Sequence, residues 1–169
     1  MIPLEQLGPA HAPGERLALP FLVDMAKLYE RFVARWLEKH LPLGMNLQVQ
    51  ENARIGDDER IKVSIDMVLY DSLAGRAISV LDTKYKAHGT IANADFYQIT
   101  AYANIKDCQD AILVYPVPLE RDLSVTFGDI TVRNLTFALD GDLDANGDRF
   151  LAGLSPGRRP VTPEKPTLS

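Results

Sequence analysis

Hydrophobic residues recur three or four positions apart in the first well-patterned part of the chain. This spacing predicts an amphipathic helix over 22–40. Pro42 and Gly44 follow it and are typical of a helix end. The first twenty residues contain prolines at positions 3, 9, 13 and 20, which predicts a linker or wrapped arm over 1–20.

After the first helix the pattern changes to alternation of apolar and polar residues. Leu47 and Val49 predict the opening of a short strand. Apolar side chains then occupy every second position from Ile61 to Leu69, which predicts a strand with Asp66 on its polar face. A turn over 71–76 leads to a further predicted strand over 77–85. The two strands are expected to form a hairpin.

A helix is predicted over about 94–106, followed by an uninterrupted apolar run over 111–115. Such a run is typical of a strand buried on both faces, and strands of this kind are commonly parallel to their neighbours. One or two further strands are predicted over 123–127 and 130–137. The sequence thus predicts an α/β fold, a mixed α+β sheet in the order α-β-β-β-α-β with extra C-terminal strands. The predicted domain covers 21–154, and the proline-containing tail over 155–169 is expected to be disordered.

Composition narrows the class of protein. Apolar residues form 46% of the 169-residue chain, as in globular domains, and no run approaches the roughly 20 apolar residues of a membrane span. No signal peptide is evident, and the lone Cys108 excludes an internal disulfide, so a cytoplasmic protein is expected. The net charge of -5 argues mildly against a protein that binds nucleic acid without a partner, because such proteins usually have a basic surface.

Candidate chemistry lies on the predicted hairpin. Asp82 and Lys84 share a strand face because side chains alternate. The numbers of Asp66 and Asp82 sum to the same value as those of Ser72 and Arg76 in the turn, so hairpin pairing makes the two acids neighbours. Adjacent carboxylates repel unless a cation lies between them, and a hard ion such as Mg²⁺ or Mn²⁺ suits oxygen ligands. On spacing alone, a solvated surface pair of Asp82 and Lys84 explains the pattern equally well.

The order of elements and the placement of these acids resemble the PD-(D/E)XK nuclease superfamily. Four segments are similar to the McrC family, the nuclease subunit of McrBC-type modification-dependent restriction systems. The segments are FLVDMAKLYERFV (21–33), IDMVLYD (65–71), VLDTKYKA (80–87) and DFYQITAYA (95–103). The resemblance covers about residues 20–116. Ile65 stands where proline usually precedes the first acid, and McrC proteins have a longer N-terminal region.

The resemblance implies a role for each matching position. Asp66 and Asp82 would bind metal and act in catalysis with Lys84, and the backbone carbonyl of Thr83 would also ligate the metal. Glu30 would complete the metal shell. Gln98, in catalysis, and Tyr102, in substrate binding, would belong to a Gln-x-x-x-Tyr motif, and Lys86 would contact DNA. From position alone, Glu30 also fits a surface salt bridge and Gln98 a helix-face amide. Tyr102 likewise fits a core tyrosine, and Lys86 a solvated strand end.

The resemblance implies a Mg²⁺-dependent endonuclease that cuts DNA, including methylated DNA, with a McrB-type AAA+ GTPase as partner. The alternatives are a non-catalytic subunit that docks on the GTPase, and a RecB-like nuclease that shares only the catalytic core. A homodimer also remains open. The acidic segment 142–148 resembles the start of a calcium-binding loop, but Gly153 stands where the bidentate glutamate is required, so an acidic turn is predicted there.

Overall fold

The computed structural model describes residues 23–56, 60–86 and 91–155. Within these ranges three helices and a six-stranded sheet are formed, which confirms the predicted fold class. The helices are α1 (Met25–His40), α2 (Asn93–Ile105) and α3 (Leu143–Leu154). The strands are β1 (Met45–Ile55), β2 (Ile61–Asp71), β3 (Ala77–Thr83), β4 (Asp110–Tyr115), β5 (Ser124–Phe127) and β6 (Ile130–Thr136). The arm over 1–20 and the tail beyond Ser155 lie outside the described residues.

The sheet has the strand order β1-β2-β3-β4-β6-β5. β1, β2 and β3 pair in antiparallel fashion, whereas β4 runs parallel to both β3 and β6. From Ala111 to Tyr115 every residue of β4 is buried, as expected for a strand covered on both faces. The parallel β3–α2–β4 unit brings the ends of β3 and β4 together beside the start of α2.

Two hydrophobic clusters cover the two faces of the sheet. One packs α1 and α3 on one face, and the other packs α2 on the opposite face. α1 begins at Met25, three residues later than predicted, because the Asp24 carboxylate accepts a hydrogen bond from the Lys27 amide (3.1 Å) and caps the helix. No helix within the described ranges is both long and apolar enough to cross a membrane.

The prediction of an acidic turn over 142–148 is wrong, because this segment begins α3. The Asp142 carboxylate accepts hydrogen bonds from the Asp144 and Ala145 amides and caps the helix. Glycine and asparagine disfavour a helix locally. Here, however, Gly147 allows close approach to Trp36, since a Cβ at Gly147 would lie 2.1 Å from the Trp36 ring. Packing thus outweighs local preference.

Two strand predictions also need correction. β1 is eleven residues long rather than short, because its length is set by the ladder to β2 and its polar residues face solvent at the sheet edge. The alternation along β2 also breaks at Asp66. Ile65 packs in the cluster beneath α2, whereas Met67 packs in the cluster beneath α1, although a regular strand would point both the same way. Across the ladder, Gln50 has a positive φ of 52°, so the irregularity affects both strands.

Candidate functional site

The candidate site lies where β2 and β3 separate. The described pairing between them runs to Met67 and Leu81, in the register expected from the sequence, although the register shifts between Leu69 and Tyr70. The next residues along this register are Asp66 and Asp82. The two carboxyl groups are close enough that Asp82 helps to raise the pKa of Asp66. The predicted proximity of the two acids is therefore confirmed.

Asp66 resists ionisation in this position. Burial, then the charge of Asp82, the hydrogen bond to Asp82 and the charge of Glu30 raise the pKa of Asp66 to about 7. The backbone amide of Thr83 donates to Asp66 and opposes these effects. Near neutral pH the carboxyl group is thus balanced between its two protonation states, and a nearby cation would favour the ionised state.

Asp82 is almost fully buried, with 3% of its surface exposed. The Lys84 Nζ atom lies 2.6 Å from Asp82 Oδ2 and forms an ion pair with it. This ion pair offsets part of the cost of burying the Asp82 charge.

Lys84 connects the strand carboxylates to α2. Its Nζ atom donates to Gln98 Oε1 (3.1 Å), and Gln98 Nε2 donates to the Tyr102 hydroxyl (2.7 Å). Burial opposes the charge of Lys84, but Asp82 and then Asp95 outweigh this effect and raise its pKa. The lysine therefore carries a positive charge beside the two acids. Gln98 and Tyr102, one helical turn apart, lie in the same hydrogen-bonded chain.

Sequence reasoning missed Asp95, which lies in the first turn of α2. Its carboxylate contacts Lys84 Nζ at 3.4 Å and accepts a hydrogen bond from Lys86. Although burial opposes ionisation, Lys86 and Lys84 together lower the pKa of Asp95. In the sequence, the signal was an acid one helical turn before Gln98. Lys86 thus reaches the cluster, as its position in the motif implied, while a DNA contact for it stays a prediction.

Glu30 approaches the pair of acids from α1. Its charge acts on Asp66, and its carboxylate accepts a hydrogen bond from Gln50 Nε2. The Gln50 side chain also accepts a hydrogen bond from the Ser64 hydroxyl (3.1 Å). Gln50 was also missed, since a polar residue on an edge strand gives no distinctive signal. Glu30 is therefore near the acids, and its role as a metal ligand stays a prediction.

Tyr115, the last residue of β4, was predicted only as part of a buried strand. It is fully buried, and its hydroxyl has no hydrogen-bond partner among the described residues. Burial, followed by the charges of Asp95 and Asp82, raises the pKa of Tyr115 to about 12. The hydroxyl therefore keeps its proton at neutral pH and remains a donor.

The donor set fits a hard divalent cation. Within the described residues, no three His, Cys, Asp or Glu side chains form a metal-binding group by themselves. Mg²⁺ commonly uses only one or two protein carboxylates, however, and completes its shell with water and substrate phosphate. Asp66 and Asp82 supply such a pair, because each carboxylate acts on the other electrostatically. Ligation by the Thr83 carbonyl stays a prediction.

Comparisons with known proteins agree with this geometry. Residues 1–116 match the family described as McrBC 5-methylcytosine restriction system component. The fold is similar to a chain of a solved assembly from Thermococcus gammatolerans, a half-complex of McrB AAA+ hexamers with bound McrC. The TM-score is 0.59 at 21% identity, over 80% of this chain and 34% of that chain, so this chain spans about a third of its length. No curated protein sequence matches. Since the family match covers more than half of the 169 residues, the chain belongs to the McrBC 5-methylcytosine restriction system component family.

Proposed function

We propose that the chain is a divalent-metal-dependent DNA endonuclease, the McrC-like cleavage subunit of a modification-dependent restriction system. The observation that carries this proposal is the half-buried Asp66 beside the buried Asp82 where β2 and β3 separate, with the Lys84 ammonium 2.6 Å from Asp82. A purely structural pair of neighbouring acids would be unfavourable. The arrangement is explained if the acids bind Mg²⁺ or Mn²⁺.

In this mechanism Asp66 and Asp82 would hold the ion, with Thr83 and Glu30 as further candidate ligands. The bound ion would act as a Lewis acid on the phosphate and lower the pKa of an attacking water. Lys84 supplies a fixed positive charge where negative charge develops on the phosphate oxygens. Gln98 and Asp95 orient the Lys84 side chain through the contacts described above. Tyr102 holds Gln98, and Lys86 lies at the exposed side, where it can meet the DNA backbone.

We further propose that a McrB-type AAA+ GTPase is the partner and that it directs the nuclease to methylated DNA. The net charge of -5 supports this division of labour, since a stand-alone DNA binder usually neutralises phosphates with a basic surface. The same charge also favours the second candidate function, a non-catalytic subunit that docks on the GTPase. The two candidates differ in whether Lys84 is required for cutting.

The test is cleavage of plasmid DNA with Mg²⁺ or Mn²⁺, with and without a cognate GTPase, GTP and methylated substrate. Lys84→Ala is expected to lower the cleavage rate about 100-fold or more, because it removes charge stabilisation in the transition state. Asp82→Asn should have a comparable effect through loss of metal binding. Lys39→Ala, which removes an exposed lysine from the last turn of α1, is the matched control and should leave cleavage unchanged.

The result distinguishes the two candidates. If the parent protein and Lys84→Ala cut equally under every condition, the activity is contamination and the nuclease proposal fails. If neither cuts, but both bind the GTPase and alter its turnover equally, the docking function is favoured. Cutting that appears only with the partner and depends on Lys84 supports both parts of the proposal.

A further inference from the structure

Gln50 lies in the middle of β1 with a backbone conformation that strands rarely adopt. Its φ of 52° falls in the left-handed region, where a residue other than glycine is uncommon and strained. The residues before and after it pair with β2 in a register that places Gln50 directly across from Asp66. The strained residue is therefore the cross-strand neighbour of one acid of the candidate site.

The side chains of β1 change faces at the same level. Leu47 packs in the cluster beneath α1, whereas Glu51 accepts a hydrogen bond from Lys106 at the end of α2. In a regular strand Leu47 and Glu51 would point to the same face, because they are four positions apart. β2 breaks its alternation at Asp66, so both strands turn over at the level of Gln50 and Asp66. The turn leaves the Gln50 side chain on the face toward α1.

On that face the Gln50 amide is held at both ends. Its Nε2 atom donates to a carboxylate oxygen of Glu30 in α1, and its Oε1 atom accepts from the Ser64 hydroxyl (3.1 Å). The Ser64 bond fixes the direction of the amide, which turns the Nε2 donor toward Glu30. The Glu30 carboxylate is thus bonded to the residue that lies across from Asp66. In agreement, the Glu30 charge contributes to the raised pKa of Asp66.

Packing gives no reason for a glutamine at this position. Gln50 is exposed, and glycine would adopt the same φ without strain. Strained backbone is concentrated at ligand-binding sites, where the side chain it places has a role. Hydrogen-bond partners that orient a metal-binding carboxylate have such a role, and their loss weakens metal binding about 10- to 100-fold.

We infer that Gln50 is a positioning residue, whose left-handed backbone and bonded amide hold the Glu30 carboxylate toward the metal site of Asp66 and Asp82. The inference rests on the proposed function for the metal and explains how a third carboxylate is kept in place. Asp66 and Asp82 are positioned by the strands that carry them. Glu30 comes from a helix, and Gln50 supplies its link to the sheet.

The experiment measures Mn²⁺ binding and thermal stability of the same variants, in the full chain without DNA. Gln50→Gly should raise the Mn²⁺ dissociation constant about 10-fold, because Glu30 loses the group that orients it. Without metal, the melting temperature of this variant should be unchanged or higher, because glycine adopts the positive φ without strain. Gln50→Asn also tolerates a positive φ but is one methylene shorter, so it should weaken Mn²⁺ binding similarly if Gln50→Gly does not fold.

Gln48→Gly is the matched control. Gln48 is an exposed glutamine of the same strand, and its φ is negative. Glycine there should lower the melting temperature by about 1–4 °C, because it weakens a strand without relieving strain. The Mn²⁺ dissociation constant should stay unchanged. A purely structural role of Gln50 would instead give the two glycine variants the same pattern.

A double-mutant cycle tests whether Gln50 acts through Glu30. In a Glu30→Ala background, Gln50→Gly should leave the Mn²⁺ dissociation constant unchanged. Equal weakening with and without Glu30, or no weakening in the parent, would overturn the inference. A positive cycle in a protein that cuts no DNA would refute the nuclease proposal alone, whereas a negative cycle in an active nuclease would refute this inference alone. A parent protein that binds no Mn²⁺ would overturn both.

Discussion

β3 and β4 carry a charged cluster on each face of the sheet, and the two clusters differ in how completely they are satisfied. On the face toward α3, the Arg133 guanidinium binds both Asp110 carboxylate oxygens (2.7 and 2.9 Å), and the Ser79 hydroxyl donates to the same carboxylate (2.7 Å). Arg133 also donates to the Gly153 carbonyl (2.7 Å). On the face toward α2, Asp66 and Asp82 repel each other, and the Lys84 ammonium beside Asp82 (2.6 Å) is shared with Asp95 (3.4 Å).

Charge alone therefore does not mark a functional site. Both clusters contain carboxylates and a cation, but only the one where β2 and β3 separate holds neighbouring acids that repel each other and are not fully satisfied. A saturated cluster connects elements and has nothing left for a ligand. An unsatisfied one is unfavourable in the isolated protein and becomes favourable when something binds.

The largest predicted loss of stability follows from disrupting the cluster of Arg133, Asp110 and Ser79. Arg133→Met leaves Asp110 with Ser79 alone and should lower the free energy of unfolding by about 3 kcal/mol, because it strips a partly buried carboxylate of its charge partner. Chemical denaturation would measure this loss. Arg35→Met is the matched control, since Arg35 pairs with Glu38 at the surface and should contribute about 0.5 kcal/mol or less. Equal losses in the two variants would remove the contrast between the clusters.

The next largest predicted effect is stabilisation of the protein by metal bound where β2 and β3 separate. Mg²⁺ or Mn²⁺ at about 100 times its dissociation constant should add about 2.7 kcal/mol to the free energy of unfolding. The gain should be larger at pH 8 than at pH 6, because the pKa of Asp66 is about 7 and protons compete with the metal below that pH. Thermal melts with and without metal at both pH values test this. A gain independent of pH, or one that survives in Asp66→Asn, would place the metal elsewhere.

The smallest effect is a gain from removing a charge. The pKa of Asp66 is near 3.9 in an unfolded chain and about 7 in the folded one, so stability falls as pH rises between these values. Asp66→Asn should therefore stabilise the metal-free protein by about 1–2 kcal/mol at pH 8, allowing for partial solvent exposure, and by much less at pH 5. Denaturation with a chelator at both pH values measures this difference. Destabilisation at pH 8 would mean that Asp66 is structurally satisfied.

Most of the fold could be predicted because it follows from local patterns. The alternation in β2, the apolar run in β4 and the helical spacing in α1 each report burial directly. α3 could not be predicted because Asn146 and Gly147 disfavour a helix and their compensating contacts come from distant residues. Asn146 donates to the Ala138 and Asp140 carbonyls, and Gly147 fits against Trp36.

The candidate site divides in the same way. The proximity of Asp66 to Asp82, and of Lys84 to Asp82, followed from hairpin register and strand alternation. Asp95 and Tyr115 come from α2 and β4, and their approach depends on the parallel β3–β4 pairing, which no local pattern specifies. Gln50 depends on a positive φ in the middle of a strand, which its residue type does not indicate.

The separation of β2 from β3 has a mechanical consequence. Each acid is carried on a different pair of strands, since β2 pairs with β1 on both sides of Asp66 as far as Ile61, while β3 pairs with β4 as far as Thr83. The distance between the two carboxylates therefore depends on the angle between these two pairs of strands. A small change of this angle at Met67 and Leu81 would change the distance between the carboxylates without breaking the hydrogen bonds within either pair of strands.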